Sequence, residues 1–272
     1  MIKTYSREFN PTQGEKLWSQ VKKQNTIYQE YTPCRELQEY VACYWISKTI
    51  YLEDKPIVNR IIPDGCMDIV FNINKIAQGK GAGVSGIMTT PEIREVNGII
   101  EYVGIRFLPG GIIPFINESA TSFTNQLIAL EDIWGREGIA ISEKIYTATS
   151  VEERMAIIET MLKCKLSNIN GMPDFLKSVL HLIYLNKGVI SIKELALGTY
   201  TSQRHLSRRF KEHIGTSPKT FSNIIRFQQI INQMNDNINI DFTSLVQSNG
   251  YYDQSHFIKE FKTFYGKAPT QL

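Results

Sequence analysis

A chain of 272 residues is long enough for two domains of ordinary size. It has no apolar run close to the roughly 20 residues that span a bilayer, and its N-terminus lacks the apolar core of a secretory signal, so we expect a cytoplasmic protein with no membrane contact. The net charge is +3, but residues 172–272 carry 12 Lys and Arg against 7 Asp and Glu, a basic excess that permits nucleic-acid binding without proving it.

Short strands are predicted between Tyr31 and Phe107. Residues 40–46 and 61–73 are rich in β-branched and aromatic side chains and are interrupted by turn signals, and residues 101–107 alternate with a period of two. Several strands at this spacing predict a small antiparallel barrel or sandwich. The glycines between residues 79 and 86 favour a hairpin over a phosphate loop, because neither a Lys-Ser/Thr pair nor a helix pattern follows them.

From Glu118 onward the pattern becomes helical. Ser150 and Glu153 form a predicted capping box, and the helix after it has an apolar stripe that fits internal packing and a dimer seam equally well. The stripe consists of Val151, Met155, Ile158 and Leu162. A polar run with Gly and Pro follows and is the candidate linker. We therefore predict a β domain with C-terminal helices over residues 1–165, a linker over 166–172 and a second domain over 173–272.

The last third of the chain contains an internal repeat. Residues 192–218 recur in outline as residues 242–269, with Leu195 matching Leu245 at an offset of 50 and Phe210 matching Phe261 at an offset of 51. The one-residue slip falls where a turn would absorb it. Each copy has the pattern helix, short turn with Gly, helix, then Gly and Pro, which is typical of a helix-turn-helix unit. Two units in an all-α domain predict contacts with double-stranded DNA at two places.

The second helix of each unit is predicted to start after a capping residue, Ser202 in unit one and Asp253 in unit two. Residues 219–235 form an unbroken apolar-periodic run that predicts a helix between the units. Its length of roughly 25 Å would hold the two second helices near the roughly 34 Å spacing of successive major-groove faces.

Polar residues on the outer face of these two helices are the candidate DNA contacts, although ordinary solvated charges would give the same pattern. Arg can read guanine with two hydrogen bonds, so Arg204 and Arg208 are the candidate base readers, with Arg208 first. Arg209 is one residue off that face and fits a phosphate contact or solvent. His205 could contact the DNA backbone or lie beside the apolar core of the domain. The candidate DNA-binding residues are Gln203, Arg204, Ser207, Arg208, Lys211, Gln254, Ser255, His256 and Lys259.

Five segments of the repeat carry a resemblance to a known family. They are Ile192-Lys-Glu-Leu-Ala, Leu206-Ser-Arg-Arg-Phe-Lys, Gly215-Thr-Ser-Pro, Gly250-Tyr-Tyr-Asp-Gln-Ser-His-Phe and Phe261-Lys-Thr-Phe-Tyr-Gly-Lys-Ala-Pro. Through them, residues 173–272 resemble the DNA-binding domain of the AraC/XylS family of bacterial transcriptional regulators, which has seven helices and two helix-turn-helix units. An activator of this family would also contact RNA polymerase.

The resemblance implies base or phosphate contacts at particular positions of the two second helices. These positions are Arg204, Ser207, Arg208, Ser255 and Lys259. Unit two departs from the family pattern, because Lys259 stands where Arg is common and residues 246–249 replace the usual Ala-rich packing. Base reading is therefore expected of unit one more than of unit two.

The N-terminal half resembles the β domain that precedes this module in one branch of the family. The matching segments are Arg60-Ile-Ile-Pro-Asp-Gly-Cys-Met-Asp-Ile-Val-Phe, Val103-Gly-Ile-Arg-Phe-Leu-Pro-Gly-Gly and Leu130-Glu-Asp-Ile-Trp-Gly. Family members use this half to bind a small-molecule effector or to form a homodimer. A domain rich in aromatic residues suits a mostly apolar pocket, in which Arg106 could orient an anionic or polar ligand. Period-two alternation equally allows Arg106 to face solvent. The candidate ligand-binding residues are Tyr40, Tyr44, Trp45, Phe71 and Arg106.

Two other interpretations stay open for the N-terminal domain. It could serve only as a dimerisation module, or Cys66 and Asp68 could make it a cysteine-based sensor or enzyme. A reactive thiol needs a base or cation beside it, and all four histidines lie within residues 173–272. The four cysteines are far apart in sequence, which favours reduced, packed thiols over a zinc site or disulfides. We expect no enzyme, no cofactor and no metal site.

Overall fold

The computed structural model describes residues 9–13, 25–51, 57–74, 81–96, 98–166, 171–236 and 242–271. Antiparallel strands and three helices form its N-terminal half, and its C-terminal half is helical. The α+β class predicted from the sequence is confirmed. The strands are β1 (Asn25–Tyr31), β2 (Val41–Tyr51), β3 (Ile57–Ile61), β4 (Met67–Asn72), β5 (Ala82–Ser85), β6 (Glu92–Val96), β7 (Gly98–Phe107) and β8 (Leu127–Ala129).

Six of these strands form one antiparallel sheet in the order β1-β2-β7-β4-β5-β8, while β3 and β6 pair in a separate ribbon. Successive side chains of a strand point to opposite faces of the sheet. On the core face, Tyr44, Phe71 and Ile105 are at most 1% exposed. Trp45 and Arg106 lie on the opposite face. Each strand therefore supplies one row of side chains to the core and one row to a cavity on the other side of the sheet.

The glycine-rich segment between residues 79 and 86 leads into a strand. Within it, β5 pairs antiparallel with β4, and Gly83 lies opposite Val70. Gly79 and the rest of residues 75–80 lie outside the described residues. A phosphate loop would lead into the N-terminus of a helix, so the observed strand favours the hairpin interpretation.

Nine helices are described. In the third, Ser150 accepts the Glu153 N–H at 3.1 Å as predicted, whereas the Glu153 carboxylate accepts from the Thr149 N–H at 2.8 Å. Ile158 and Leu162 are fully buried, so the apolar stripe packs within the chain and is not an exposed dimer seam. The helices are α1 (Leu130–Trp134), α2 (Arg136–Thr147), α3 (Val151–Leu166), α4 (Asp174–Leu185), α5 (Ile192–Gly198), α6 (Gln203–Ile214), α7 (Pro218–Asp236), α8 (Phe242–Ser248) and α9 (Gln254–Tyr265).

The two helix-turn-helix units are α5 with α6 and α8 with α9. Both predicted caps are present: Ser202 accepts the His205 N–H at 3.2 Å, and Asp253 accepts the His256 N–H at 2.7 Å. Because these caps are local in sequence, they fix where α6 and α9 begin. The predicted connecting helix is α7, which has 19 residues. No helix among the described residues is long and apolar enough to cross a membrane.

The two halves pack against each other, and their buried residues form one continuous hydrophobic cluster. Gly65 adopts φ +81°, and a Cβ there would lie 3.0 Å from the Phe221 ring on α7, so this contact requires glycine. Near the N-terminus, Phe9 stacks on Tyr184 of α4 with ring centroids 5.2 Å apart. Residues 167–170 of the predicted linker lie outside the described residues.

Candidate nucleic-acid interface and ligand cavity

The outer face of α6 is open to solvent. Arg204, Arg208 and Lys211 are exposed, as is Gln203 at the helix start, while Ser207 is half-buried. Arg208 lies 3.5 Å from the carboxylate of Glu212 one turn later, and both side chains are exposed. An exposed pair of this kind contributes at most about 1 kcal/mol, so DNA can replace it as the partner of Arg208.

The outer face of α9 is open in the same way. Gln254, Ser255, His256 and Lys259 are all exposed. The imidazole of His256 also packs edge-on against Tyr251, with ring centroids 5.3 Å apart. The structure thus brings the predicted DNA-binding residues together on two helix faces, one in each unit.

Arg209 has a different environment from the one the sequence suggested. Its guanidinium lies 4.7 Å from the ring centroid of Phe175 on α4. Arg209 is half-buried and makes a cation–π contact within the domain, so it lies off the outer face of α6, and a phosphate contact stays a prediction.

Two exposed tyrosines stand beside the predicted DNA-binding faces and were missed in the sequence. Tyr200 is 98% exposed in the turn before α6, and Tyr252 is 93% exposed in the turn before α9. A tyrosine hydroxyl can donate to a phosphate oxygen. The available signal was the aromatic residue in the turn of each unit.

A buried ion pair fixes α9 to the connecting helix α7. The Arg226 guanidinium donates to both carboxylate oxygens of Glu260, at 2.6 Å to Oε2 and 2.8 Å to Oε1 from Nη2. Tyr251 donates its hydroxyl to the same carboxylate at 2.6 Å, and its ring centroid lies 4.2 Å from the guanidinium. The pair is non-local in sequence, so no pattern in the sequence indicated it.

A cavity of about 830 Å³ lies between the larger sheet and the β3–β6 ribbon. Trp45 and Arg106, two of the predicted ligand-binding residues, line it. The other three do not: Tyr44 and Phe71 are in the core on the opposite face, and Tyr40 packs edge-on against Phe115. These three assignments are corrected, since strand alternation defines two faces without saying which one is the core.

The cavity floor is built on a close approach of β2 to β7. Trp45 lies directly over Gly104, where an added Cβ would come within 2.1 Å of the indole. The indole N–H donates to Oδ2 of Asp68 at 2.9 Å. Glycine at this cross-strand position is therefore what allows the indole to lie flat on the floor.

Arg106 is buried on this floor and surrounded by carboxylates. Its guanidinium lies 3.4 Å from Asp64, 3.4 Å from Asp68 and 3.8 Å from Glu30. It also donates to the Tyr28 hydroxyl at 3.3 Å. Arg106 thus does not face solvent, and its charge is already compensated, which corrects the expectation that it orients an anionic ligand.

Two groups beside Arg106 have raised pKa values. Burial raises the pKa of Asp68 to about 6, against the opposing effect of Arg106. Burial, reinforced by Asp64, raises the pKa of the Cys66 thiol well above its ordinary value. A thiol held in its neutral form is a poor nucleophile, so this environment argues against the cysteine-based alternative. Among the described residues, no group of three or more His, Cys, Asp or Glu side chains is placed to hold a metal ion.

The two halves of the chain match two different protein families. Residues 29–129 match a family described as a domain of unknown function (DUF6597), and residues 195–272 match one described as a helix-turn-helix domain. The C-terminal part is an AraC-type DNA-binding domain. The chain is thus a DNA-binding regulator, as the repeat predicts.

The chain is also similar to crystal structures of ToxT from Vibrio cholerae. ToxT from strain O395 is 13% identical over 92% of this chain and 96% of its own, with a TM-score of 0.41. The same protein bound to (E)-4-(8-methylnaphthalen-1-yl)but-3-enoic acid is 13% identical over 91% and 96%, with a TM-score of 0.42. Unsaturated fatty acid bound ToxT from strain SCE256 is 11% identical over 91% and 94%, with a TM-score of 0.38. No curated protein sequence matches the chain.

The cavity reaches the AraC-type domain through its ribbon wall. Arg60 on β3 lines the cavity and donates from Nη1 to the carbonyl oxygen of Tyr265 at 2.5 Å. Tyr265 is the last residue of α9. This hydrogen bond joins the ribbon to the C-terminal end of α9, the second helix of unit two.

The N-terminal segment provides a second contact between the cavity wall and the AraC-type domain. Gln13, which also lines the cavity, donates to Asp64 at 2.6 Å. Its neighbour Thr12 exchanges two hydrogen bonds with the side chain of Gln228 on α7, at 2.8 and 3.1 Å. Gln228 is completely buried and also donates to the Pro63 carbonyl at 2.8 Å. Neither of these two contacts, at Arg60 and at Thr12, follows from a local sequence pattern, because each joins residues far apart in the chain.

Proposed function

We propose that this regulator binds DNA with an affinity set by a small molecule in the N-terminal cavity. The observation that carries the proposal is Arg60, which lines the cavity and hydrogen-bonds the last residue of α9. One side chain thus belongs to both the candidate ligand site and the DNA-binding domain. The volume of about 830 Å³ lies within the range of small-molecule sites.

On DNA, α6 and α9 would enter successive major grooves along one side of the duplex. Arg204 and Arg208 are the proposed base readers, because exposed arginines on a recognition helix can make two hydrogen bonds to guanine. Lys259 would act as the weaker counterpart in unit two. The other exposed polar residues of both faces would contact phosphates, which position the protein without reading sequence.

Modulation requires that the ligand bind one arrangement of the two halves better than another. A ligand that displaces the β3–β6 ribbon would move Arg60 and with it the end of α9. A ligand that alters Asp64 would act on Gln13 and so on α7. Coupling energies of about 1–3 kcal/mol, or roughly 5- to 150-fold in affinity, are usual for such linked sites.

The experiment compares Arg60→Ala with Arg94→Ala in the full chain. Arg94 also lines the cavity, but it forms its ion pair with Glu92 on the same strand, at 2.6 Å. We expect Arg60→Ala to change the Kd for a selected DNA duplex by about fivefold or more, and Arg94→Ala to leave it near wild type, as measured by fluorescence anisotropy. Equal Kd values for both variants and wild type would contradict the coupling.

The proposed partners follow from this role. Promoter DNA is the first of them, and this partner supports a cytoplasmic location. RNA polymerase becomes a partner if the regulator activates transcription. A second copy of the chain becomes one if the operator contains repeated sites.

A further inference from the structure

The cavity floor carries more negative than positive charge. Three carboxylates, those of Glu30, Asp64 and Asp68, lie within 3.8 Å of the single guanidinium of Arg106, and Asp64 and Asp68 line the cavity itself. The Asp64 carboxylate also accepts two hydrogen bonds, one from the Gln13 side chain and one from the backbone N–H of Cys66 at 2.9 Å. Asp68 has no comparable backbone donor among the described residues.

Asp68 retains an unused acceptor at the edge of the cavity. Both of its hydrogen bonds, from the Trp45 indole at 2.9 Å and from Arg106 at 3.4 Å, end on Oδ2. Among the described residues, none ends on Oδ1. The Asp68 carboxylate is mostly buried, and its Oδ1 accepts no hydrogen bond from the described residues. It therefore favours the approach of a donor or a positive charge from the cavity.

The other arginines of the cavity wall are already engaged. Arg94 pairs with Glu92, and Arg60 donates to the Tyr265 carbonyl while its guanidinium lies 5.1 Å from the Tyr265 ring centroid. Glu95 and Glu131 add two exposed carboxylates to the lining. Over the described lining residues, three arginines thus face five acidic groups, which disfavours an anionic ligand.

Aromatic rings line the cavity together with Asp68, and the Arg106 guanidinium lies 6.0 Å from the Trp45 ring centroid. The Tyr28 and Trp45 rings are stacked with centroids 6.3 Å apart, and both line the cavity together with Tyr102. Ring faces attract cations, most strongly when the site is desolvated. The rest of the lining includes the apolar residues Ile61, Val70, Met88, Ile100 and Leu127.

From these contacts we infer that the cavity binds an organic cation with an aromatic or aliphatic body, with Asp68 as its counter-ion and Trp45 and Tyr28 as its walls. This inference rests on the proposed function, since it names the class of the small molecule that would modulate DNA binding. The Asp68 carboxylate supplies the charge, and the apolar lining supplies most of the contact area.

The test uses probes of matched shape and opposite charge on the full chain. Tetraphenylphosphonium and tetraphenylborate have nearly the same size and differ in sign, and isothermal titration calorimetry gives the Kd of each. A smaller pair, benzyltrimethylammonium and its neutral isostere neopentylbenzene, serves if the first pair is too bulky for the opening. We expect the cation of a pair to bind at least about tenfold more tightly than its isostere.

The variants identify the residue responsible. Asp68→Asn is expected to abolish most of the preference for the cation, whereas Asp132→Asn, an exposed residue of α1 that does not line the cavity, leaves it intact. If Asp68→Asn does not fold, Trp45→Leu removes an aromatic wall while keeping the charge, and should weaken the cation more than the isostere. Failure of every cation to bind, tighter binding of the anion, or an unchanged preference in Asp68→Asn would overturn the inference.

Measuring DNA affinity with the same probes separates this inference from the proposed function. An anion that binds in the cavity and changes the Kd for DNA contradicts the cation assignment and leaves modulation standing. A cation that binds through Asp68 without changing the Kd for DNA supports the assignment and contradicts modulation by that class.

Discussion

Arg60 and Tyr265 join the cavity wall to the end of the second recognition helix. The arginine caps a helix C-terminus, where carbonyl oxygens lack intrahelical partners and the helix dipole favours a cation. Its guanidinium also lies over the tyrosine ring. The contact thus has a backbone part and a side-chain part that substitutions can separate.

Tyr265→Leu should weaken this contact less than Arg60→Ala does. Within this contact, the leucine variant keeps the carbonyl acceptor and loses the cation–π contribution, about 0.5–1 kcal/mol at a partly exposed site. It also loses the stacking of the Tyr265 ring on Phe261, at 5.3 Å between centroids, so the Kd for DNA is the more direct readout of the contact with Arg60. Arg60→Ala loses both parts. The comparison is made on the melting temperature and the Kd for DNA, and a larger effect of Tyr265→Leu would show that the ring, rather than the helix end, carries the coupling.

The buried ion pair between Arg226 and Glu260 should contribute more to the free energy of unfolding than the exposed pair between Arg208 and Glu212. Glu260→Ala leaves a buried guanidinium uncompensated and is expected to lower the free energy of unfolding by about 3–5 kcal/mol in urea titrations. Combining Arg226→Met with Glu260→Leu should recover much of the loss. As a control, Glu212→Ala breaks the exposed pair with Arg208 and should change stability by about 1 kcal/mol or less.

Arg208→Ala should lose about 1–3 kcal/mol of binding at a selected DNA site and much less on random duplex, if Arg208 reads a base. Arg209→Ala is the neighbouring control, because Arg209 packs on Phe175 and should not affect sequence preference. Lys259→Ala should cost less preference than Arg208→Ala. Equal losses for Arg208→Ala on both duplexes would make it a phosphate contact.

The free energy of unfolding should depend on pH through the protonation of Asp68. Its pKa is raised from 3.8 to about 6, chiefly by burial, with Arg106 opposing and Asp64 adding to the rise. The folded chain therefore holds a proton that the unfolded chain has lost, and this contribution to stability is present below about pH 4 and disappears as the pH rises through about 6. Asp68→Asn removes the contribution. Urea unfolding of both proteins across this range checks it, and identical pH profiles would contradict the assignment.

Local features of the fold could be predicted from the sequence. Ser202 and Asp253 cap helices that start at the next residue, and the connecting helix predicted over residues 219–235 is Pro218–Asp236. Such signals depend on residues a few positions apart, where capping and helical periodicity act.

The candidate ligand site was predictable only in part. Trp45 and Tyr44 are neighbours on β2, and the sequence alone does not say which of them faces the core. The contacts that define the cavity and its link to DNA join residues far apart in the chain, such as Arg60 with Tyr265 and Gln13 with Asp64. No periodicity encodes pairs of this kind, because tertiary packing alone brings them together.

The most direct measurement of the central claim is selection of bound duplexes from a random-sequence DNA pool by the full chain, followed by sequencing. We expect an enriched motif with two blocks about one helical turn apart, with Arg208→Ala relaxing the block read by α6 and Lys259→Ala affecting the other less. The absence of any enriched motif, or a single block unaffected by Arg208→Ala, would contradict the account of two helix-turn-helix units reading DNA.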